Sequence, residues 1–295
     1  MTSTTGNLGS VYNTGFEIEL NTKNIENRNF SWSTAFNASY NKNKVLQLGS
    51  ENTTVYQSTN GAVNVLEVGM PMYYFYGLKC TGVWMNQAEI DAYTAQTGNI
   101  PKYQGTAVKP GDLKHEDIDG DGNITNDDRQ YLGKPTADWT FGMTNRFTYG
   151  NWDASILFTA QLGGNIYGTL GRAIDRAGMG PQTNAMGWWR DAWWSEDDPG
   201  NGWVPYERST VKPDADSRFL YKSDYLRLKN ITIGYKIPFK KVIDSARVYL
   251  SIENLFILDS YYHGYSPESS NSGTGMDYGA YPSARTFTAG ININF

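Results

Sequence analysis

The stretch of this 295-residue chain best suited to chemistry is Asp117-Ile118-Asp119-Gly120-Asp121-Gly122-Asn123-Ile124-Thr125-Asn126-Asp127-Asp128. It reads as an EF-hand-type loop. Asp117, Asp119 and Asp121 fall at the first, third and fifth positions, and Gly122 at the sixth permits the sharp turn. Asn123 offers its backbone carbonyl at the seventh, and Asp128 stands at the twelfth, where a bidentate Glu is usual. Alternating carboxylates on a tight loop converge oxygens on one hard cation, and the cation offsets their mutual repulsion. The loop supplies many protein oxygens, which predicts Ca2+ ahead of Mg2+. Ile124 is expected to anchor the loop on a neighbouring core. The bland alternative is a solvated Asp/Gly turn with no ion. Asp at the twelfth position is shorter than Glu, which lowers affinity, and no amphipathic helix pair clearly flanks the loop. A structural clip inside a long outer loop fits better than a calcium sensor.

Other chemistry is thinner. Trp188, Trp189, Trp193, Trp194 and Trp203 could stack on sugar rings or on a partner, but packing of their own loop against itself is the favoured reading. His115 and His263 have no metal spacing between them and read as surface or loop residues. Cys80 is the only cysteine, so it forms no intrachain disulfide and reads as a small apolar filler without a Cys-based metal site. No nucleophile motif, phosphate-binding glycine loop or paired His/Ser arrangement is present, and the carboxylates are too scattered to nominate a glycosidase pair. No catalytic residue is assigned, and the chain is not expected to be an enzyme. Asn86-Gln87-Ala88-Glu89 opens what reads as a short capped helix, with Asn86 as N-cap and Glu89 three residues on.

Composition sets the frame that must position the acidic loop. A net charge of -5 and the lack of a basic stripe argue against a nucleic-acid partner. Aromatic residues reach 14%, with Tyr 21, Trp 9 and Gly 31, a mixture suited to many turns and to rings that favour interfaces. Mean hydropathy is -0.53 and no apolar run is long enough for a helical membrane span. A β-barrel remains open, since only alternate residues of its strands need be apolar.

That alternation recurs along the chain. Phe287, Ala289, Ile291, Ile293 and Phe295 fall on one face of the last segment, with Thr286, Thr288, Gly290, Asn292 and Asn294 on the other. Phe16, Ile18 and Leu20 alternate with Glu17, Glu19 and Asn21. Segments 30–40, 139–149, 152–162 and 248–253 behave alike, with Asn145 the polar exception on its apolar face. Parity switches within 225–237, which predicts a bulge near Lys229 and Asn230. Tyr40, Trp139, Tyr149 and Trp152 stand at strand ends, where an aromatic girdle would lie. Links at 150–151 and 238–246 are short, whereas 85–138, 163–224 and 258–284 are long. With the C-terminus on the periplasmic side, the short links fall inside and the long ones outside, as in outer-membrane barrels. The link across 41–71 is long for a periplasmic turn and fits this scheme poorly. The reading is all-β: an antiparallel transmembrane β-barrel segment of about eight strands with long extracellular loops, closed by a strand whose terminal Phe295 serves membrane assembly. The acidic loop at 117–128 then sits inside the extracellular loop 85–138. The competing reading is a calcium-stabilised secreted β-rich glycan-binding module.

Several motifs in order resemble one family. They are Gly15-Phe16-Glu17-Ile18-Glu19-Leu20, Ser39-Tyr40-Asn41-Lys42-Asn43-Lys44-Val45, Gly82-Val83-Trp84, Ala88-Glu89-Ile90-Asp91-Ala92-Tyr93, Asp119-Gly120-Asp121-Gly122-Asn123-Ile124 and Asp127-Asp128-Arg129. Further on come Tyr225-Leu226-Arg227-Leu228-Lys229-Asn230-Ile231-Thr232-Ile233-Gly234-Tyr235, Glu253-Asn254-Leu255-Phe256, Tyr281-Pro282 and Arg285-Thr286-Phe287. In combination the chain resembles the C-terminal part of a SusC/RagA-type TonB-linked outer-membrane protein. The resemblance implies a barrel of twenty-two strands with an N-terminal plug and TonB box, embedded in outer-membrane lipid. It also implies import of oligosaccharides or peptides, driven by the TonB complex and shared with a SusD-like surface lipoprotein. No plug, TonB box or signal sequence is read within residues 1–295. The resemblance supports the acidic loop and the closing strand, and names no substrate-contacting residue.

Overall fold

The computed structural model describes residues 9–59, 61–175, 186–207, 211, 216–238, 245–261, 266–268 and 273–294. Seven long strands form one sheet: β1 (Gly9–Glu26), β2 (Phe30–Leu48), β3 (Trp139–Tyr149), β4 (Trp152–Leu162), β5 (Tyr225–Pro238), β6 (Ser245–Asp259) and β7 (Thr286–Asn294). Each pairs antiparallel with the next in sequence order, an uninterrupted meander. Among the described residues the outer edges of β1 and β7 have no strand partner.

Register turns the alternation into two continuous faces. Thr34, Asn145, Ile156, Ile231, Ile252 and Phe287 share one row across β2 to β7, while Ser33, Arg146, Ser155, Thr232, Ser251 and Thr288 share the adjacent row on the opposite face. The apolar face is bare: Leu250, Ile291 and Phe287 are 64%, 65% and 68% exposed. The four clusters of buried apolar side chains all lie outside the seven strands, in the segments that connect them. A soluble sandwich would place its core against the apolar face, whereas a membrane wall leaves that face for lipid. Asn145 is accommodated there because its Oδ1 accepts hydrogen bonds from Trp32 Nε1 at 3.0 Å and Thr34 Oγ1 at 2.8 Å.

Rings mark both ends of the apolar band. Trp139 packs on Tyr40 (4.8 Å between centroids) and Phe16 (5.5 Å), and Trp152 on Tyr235 (4.8 Å) at the opposite end. Strand β3, 11 residues long, separates the two levels. It rises roughly 33 Å, or about 25 Å along the membrane normal at a tilt of about 40°, the height of a barrel's apolar band.

The bulge predicted near Lys229 is present: Leu157 pairs with Asn230 and Phe158 with Leu228, leaving Lys229 without a register partner. A facing irregularity on β6 pairs Asn230 with Glu253 but Leu228 with Phe256, and Asn254 takes φ 52° within it. Together they re-aim the upper part of the hairpin.

The sheet holds seven strands, where alternation suggested about eight. The segment across 41–71 is not a periplasmic turn: β2 continues to Leu48 and pairs directly with β3. The short runs Val55–Thr59, Ala62–Leu66 and Tyr74–Gly77 join Gln130–Gly133 in a separate sheet. Four or five residues are too few to span a bilayer, which takes about 9–11 residues per strand. With that correction every long connection (49–138, 163–224 and 260–285) leaves from one end of the sheet. The links at 27–29 and 150–151 sit at the other end, where β5 ends and β6 begins. Phe295 and His263 lie outside the described residues.

At Gly15 the β1–β2 ladder comes so close that a Cβ would run into the backbone carbonyl of Tyr40. Gly15→Ala should lower stability by about 1–3 kcal/mol through forced displacement of the pair, read as a shift of the urea midpoint in detergent or lipid. An unchanged midpoint would show that the ladder relaxes freely.

Candidate functional site

The acidic loop is held at the outer end by short-range pairing. Helix α1 (Gln87–Thr97) forms as its capping residues predict: Asn86 Oδ1 accepts from Glu89 N at 2.8 Å, and Glu89 Oε2 accepts from Met85 N at 2.9 Å. Gly98 closes it at φ 78°. The helix delivers Tyr93, whose hydroxyl donates to Asp117 Oδ2 at 2.8 Å. Asn123 and Ile124 bridge in parallel to Lys102 and Tyr103, and Ile124 is buried as expected of its anchor.

Within the loop the carboxylates are tied to the backbone. Asp117 accepts from Gly120 N at 2.8 Å and Gly122 N at 2.9 Å, and Asp128, fully buried, accepts from Ile118 N at 2.8 Å and Thr125 N at 2.7 Å. Gly122 adopts φ 80°, the left-handed turn assigned to it from the sequence. Asp117, Asp119 and Asp128 each bring one oxygen within 4.8 Å of the other two. Asp121 stands outside this trio, accepting instead from Asn123 N at 2.6 Å, and the Asn123 side chain accepts from Gly105 N at 2.7 Å. The Asp119 carboxyl accepts from Asp121 N, which pulls its pKa down. Desolvation and the carboxylates of Asp121, Asp128 and Asp117 outweigh that pull and hold it above its ordinary value. The donor set is all oxygen and carries several negative charges on one concave loop, which suits a hard divalent cation.

A second feature lies between the polar face of the sheet and the loops above it: a groove of about 620 Å³ lined in part by Asn13, Asn41, Asn43, Thr140, Gln161 and Glu268. Asn43 is fixed, its Oδ1 accepting from Met72 N at 2.8 Å and its Nδ2 donating to Thr136 Oγ1 at 3.1 Å. Both carboxylates of the groove are paired: Asp138 with Lys134, and Glu268 with the buried Arg227 at 2.6 Å. Arg227, just before the Lys229 bulge, also donates to Ser266 Oγ at 3.1 Å and to Asn254 Oδ1 at 3.2 Å, fastening an outer connection to the wall. Lower on the same face Arg247 and Asp153 form a two-toothed ion pair at 2.8 and 2.5 Å.

The outer segments have their own polar core. His115, read from the sequence as a surface or loop residue, ends a short strand and is buried with Asp216 and Cys80. Its Nε2 lies 3.2 Å from Asp216 Oδ2, and Arg218 Nε donates to the same carboxylate at 2.9 Å. Cys80 is buried as expected, and burial, with Asp216 next, pushes its thiol up to about 12. For Asp216 burial acts to raise the pKa, but the Arg218 guanidinium and the His115 hydrogen bond win and hold it below its ordinary value. Trp193 packs its own loop, sitting against the cluster of Cys80, Val83, Leu113 and Val211 and donating to Met85 O at 2.8 Å. Trp194 and Trp203 are exposed.

Comparison with known proteins agrees with this architecture. The chain is 33% identical, over 98% of its length, to the TonB-dependent receptor P3 of Formosa agariphila, and 32% identical over 98% to the receptor P26 of the same organism. It is 25% identical, over 99%, to the TonB-dependent receptor SusC of Bacteroides thetaiotaomicron. It spans only 29%, 30% and 27% of those three relatives. Among solved structures it superposes with TM-score 0.78 on the RagAB peptide transporter, at 22% identity, covering 98% of this chain and 30% of that one. The RagAB importer in its open-open state gives TM-score 0.76 at 23% identity, covering 97% of this chain and 29% of that one. No protein-family model matches.

Proposed function

We propose that this SusC/RagA-type TonB-linked chain, which corresponds to the C-terminal part of the barrel in that family, forms one wall of an outer-membrane importer for oligosaccharides or peptides. The observation that carries the reading is the bare apolar face on a meander whose long links all leave from one end. The open edges of β1 and β7 would then pair with the remaining strands of a larger barrel, because unpaired backbone groups in lipid cost several kcal/mol each. The groove over the polar face faces the inside of that barrel and offers amide and hydroxyl groups to cargo. The outer connections are placed to meet a SusD-like lipoprotein, and energy would come from TonB acting on a plug. A secreted glycan-binding module fits less well, since it would leave the same apolar face in water. Uptake of labelled oligosaccharides and of labelled peptides, compared between cells with and without the gene and with and without TonB, tests the reading. Loss of either uptake in both deletions supports it, and unchanged uptake of both overturns it.

The acidic loop binds Ca2+ in this proposal, as a structural clip, with Mg2+ the weaker competitor. The trio of Asp117, Asp119 and Asp128 supplies carboxylate oxygens, Asn123 its carbonyl, and Asp121 orders the turn or swings in as a further ligand. Asp119→Ala should reduce calcium affinity at least tenfold while leaving the loop folded, because among the described residues the Asp119 side chain bonds only to Asp121 N. Since the Asp119 pKa is raised, protons compete for that ligand earlier on acidification, and affinity should fall as pH falls. Calorimetry across that range checks both. Equal calcium uptake by wild type and variant would remove Asp119 from the site.

A further inference from the structure

Just beyond the outer ring level the outward face of the β1–β2 pair changes chemistry. Tyr40 packs on Phe16 and Trp139 at that level, and β2 runs on without a register shift to Lys42 and Lys44. Period two therefore keeps both lysines on the side of Tyr40. Asn41 and Asn43 alternate with them and line the groove on the polar face, which turns the lysines outward. Thr14 pairs with Lys42 and Tyr12 with Lys44, while Asn13 between them lines the groove. Two ammoniums and two hydroxyls thus share one outward patch, and all four residues are exposed.

Among the described residues neither lysine makes an ion pair or a side-chain hydrogen bond. A Cβ on Gly69 would stand 4.0 Å from Lys44 Cε, so the turn at 67–70 flanks that stem. Glu67 of this turn accepts instead from the Tyr74 hydroxyl at 2.5 Å. Glu17 and Glu19 on β1 point to the polar face, so they leave the patch uncompensated.

Depth and spacing say what the patch meets. Lys42 stands about 7 Å along the strand beyond Tyr40, or about 5 Å along the membrane normal at a tilt of about 40°, and Lys44 about twice that. The headgroup layer is about 5–8 Å deep on each side of the hydrocarbon core, and a flexible lysine stem lets its ammonium settle within it. Neighbours across paired strands stand about 5 Å apart, and residues two apart on one strand about 7 Å. Hydrogen bonds of about 2.8 Å to two oxygens of one phosphate bridge that range. On the side toward the membrane the face continues through Phe16, Ile18 and Leu20, each exposed and apolar. The surface therefore matches an amphiphile, with phosphate on the lysines and acyl chains along the apolar rows, rather than a free anion.

We propose that Lys42 and Lys44, with the hydroxyls of Thr14 and Tyr12, bind the phosphate of a lipid headgroup in the outer leaflet. The proposal rests on the membrane-wall part of the reading above and is independent of what the importer carries.

The test is native mass spectrometry of the intact protein carrying this chain, in neutral detergent, titrated with phosphatidic acid and separately with phosphatidylcholine. Each lysine facing an anionic lipid surface is worth about a fivefold change in binding, so the double variant Lys42→Gln, Lys44→Gln should bind phosphatidic acid at least ~10-fold more weakly. Phosphatidylcholine, whose choline offsets the phosphate charge, should bind both proteins alike. The double variant Lys42→Arg, Lys44→Arg should bind phosphatidic acid as wild type does, which separates charge from packing. Excess inorganic phosphate should leave the lipid bound. Equal retention of phosphatidic acid by wild type and the glutamine variant overturns the site, as does displacement by inorganic phosphate. In either case continued binding of phosphatidylcholine leaves the membrane wall standing. A protein that retains neither lipid and stays folded without detergent overturns the wall and this site together.

Discussion

Asp216→Ala should cost the outer segments about 3–5 kcal/mol, because it leaves a nearly buried guanidinium and a buried imidazole without their common partner. Asp216 Oδ1 also accepts from Arg218 N at 3.0 Å, so a backbone donor is orphaned as well. The damage should be local. Hydrogen exchange should rise in 78–116 and 216–222, while amides in β1 to β7 stay protected, since the seven-stranded sheet does not rest on this cluster. The same pair gives a pH dependence whose sign is fixed. A carboxyl held below its ordinary pKa by folding contributes stability that is fully present above the unfolded value of about 3.9 and is lost as pH falls toward the folded value. Acidification below about pH 4 should therefore loosen the outer segments of the wild type, with little such pH response in the alanine variant. Equal stability of Asp216→Ala and wild type would mean that solvent reaches the cluster.

None of that cluster was legible in the sequence. Cys80, His115 and Asp216 belong to three different segments, and neither periodicity nor motif spacing connects them; only the fold brings them together. What the sequence carries well is whatever repeats over short range. Period-two alternation placed β3 and β4 at the residues where they stand, and the parity switch in 225–237 located the Lys229 bulge, because a one-residue slip exchanges the two faces of a strand. The acidic loop is also a local pattern, and Gly122, Ile124 and the capping pair Asn86–Glu89 take the conformations their types require. Errors arose where local signals are ambiguous. Short apolar runs such as Val55–Thr59 and Tyr74–Gly77 look like strand material, yet their pairing partners are set by tertiary structure. That ambiguity leaves both the strand count and the course of the chain across 41–71 open in the sequence. Likewise Arg227 reads as a polar residue of a barrel strand, and nothing in its surroundings announces Glu268.

Ile231→Arg is the substitution that separates a membrane wall from any water-soluble sheet. Ile231 stands between Ile156 on β4 and Ile252 on β6, in a row between the Trp139 and Trp152 levels. Near the middle of the apolar band an arginine side chain facing lipid should destabilise a barrel by about 2–4 kcal/mol, falling to about 0–1 kcal/mol near the interfaces. The neighbouring Thr232 faces the other way, with its hydroxyl donating to Asn230 Oδ1 at 3.0 Å amid Ser155 and Ser251. Thr232→Arg places the same charge on the polar face, where water and hydroxyls solvate it, so its cost should be well below that of Ile231→Arg. Leu250→Arg, closer to the Trp152 level, should fall between the two. Urea unfolding in lipid vesicles reads all three. A soluble sheet with this face in water predicts near-equal, small costs for all three, since arginine replacing a solvent-facing apolar residue there is nearly neutral. A graded penalty across Ile231 and Leu250, with Thr232 spared, therefore follows from bilayer depth alone, and equal midpoints for all three would remove lipid from that face.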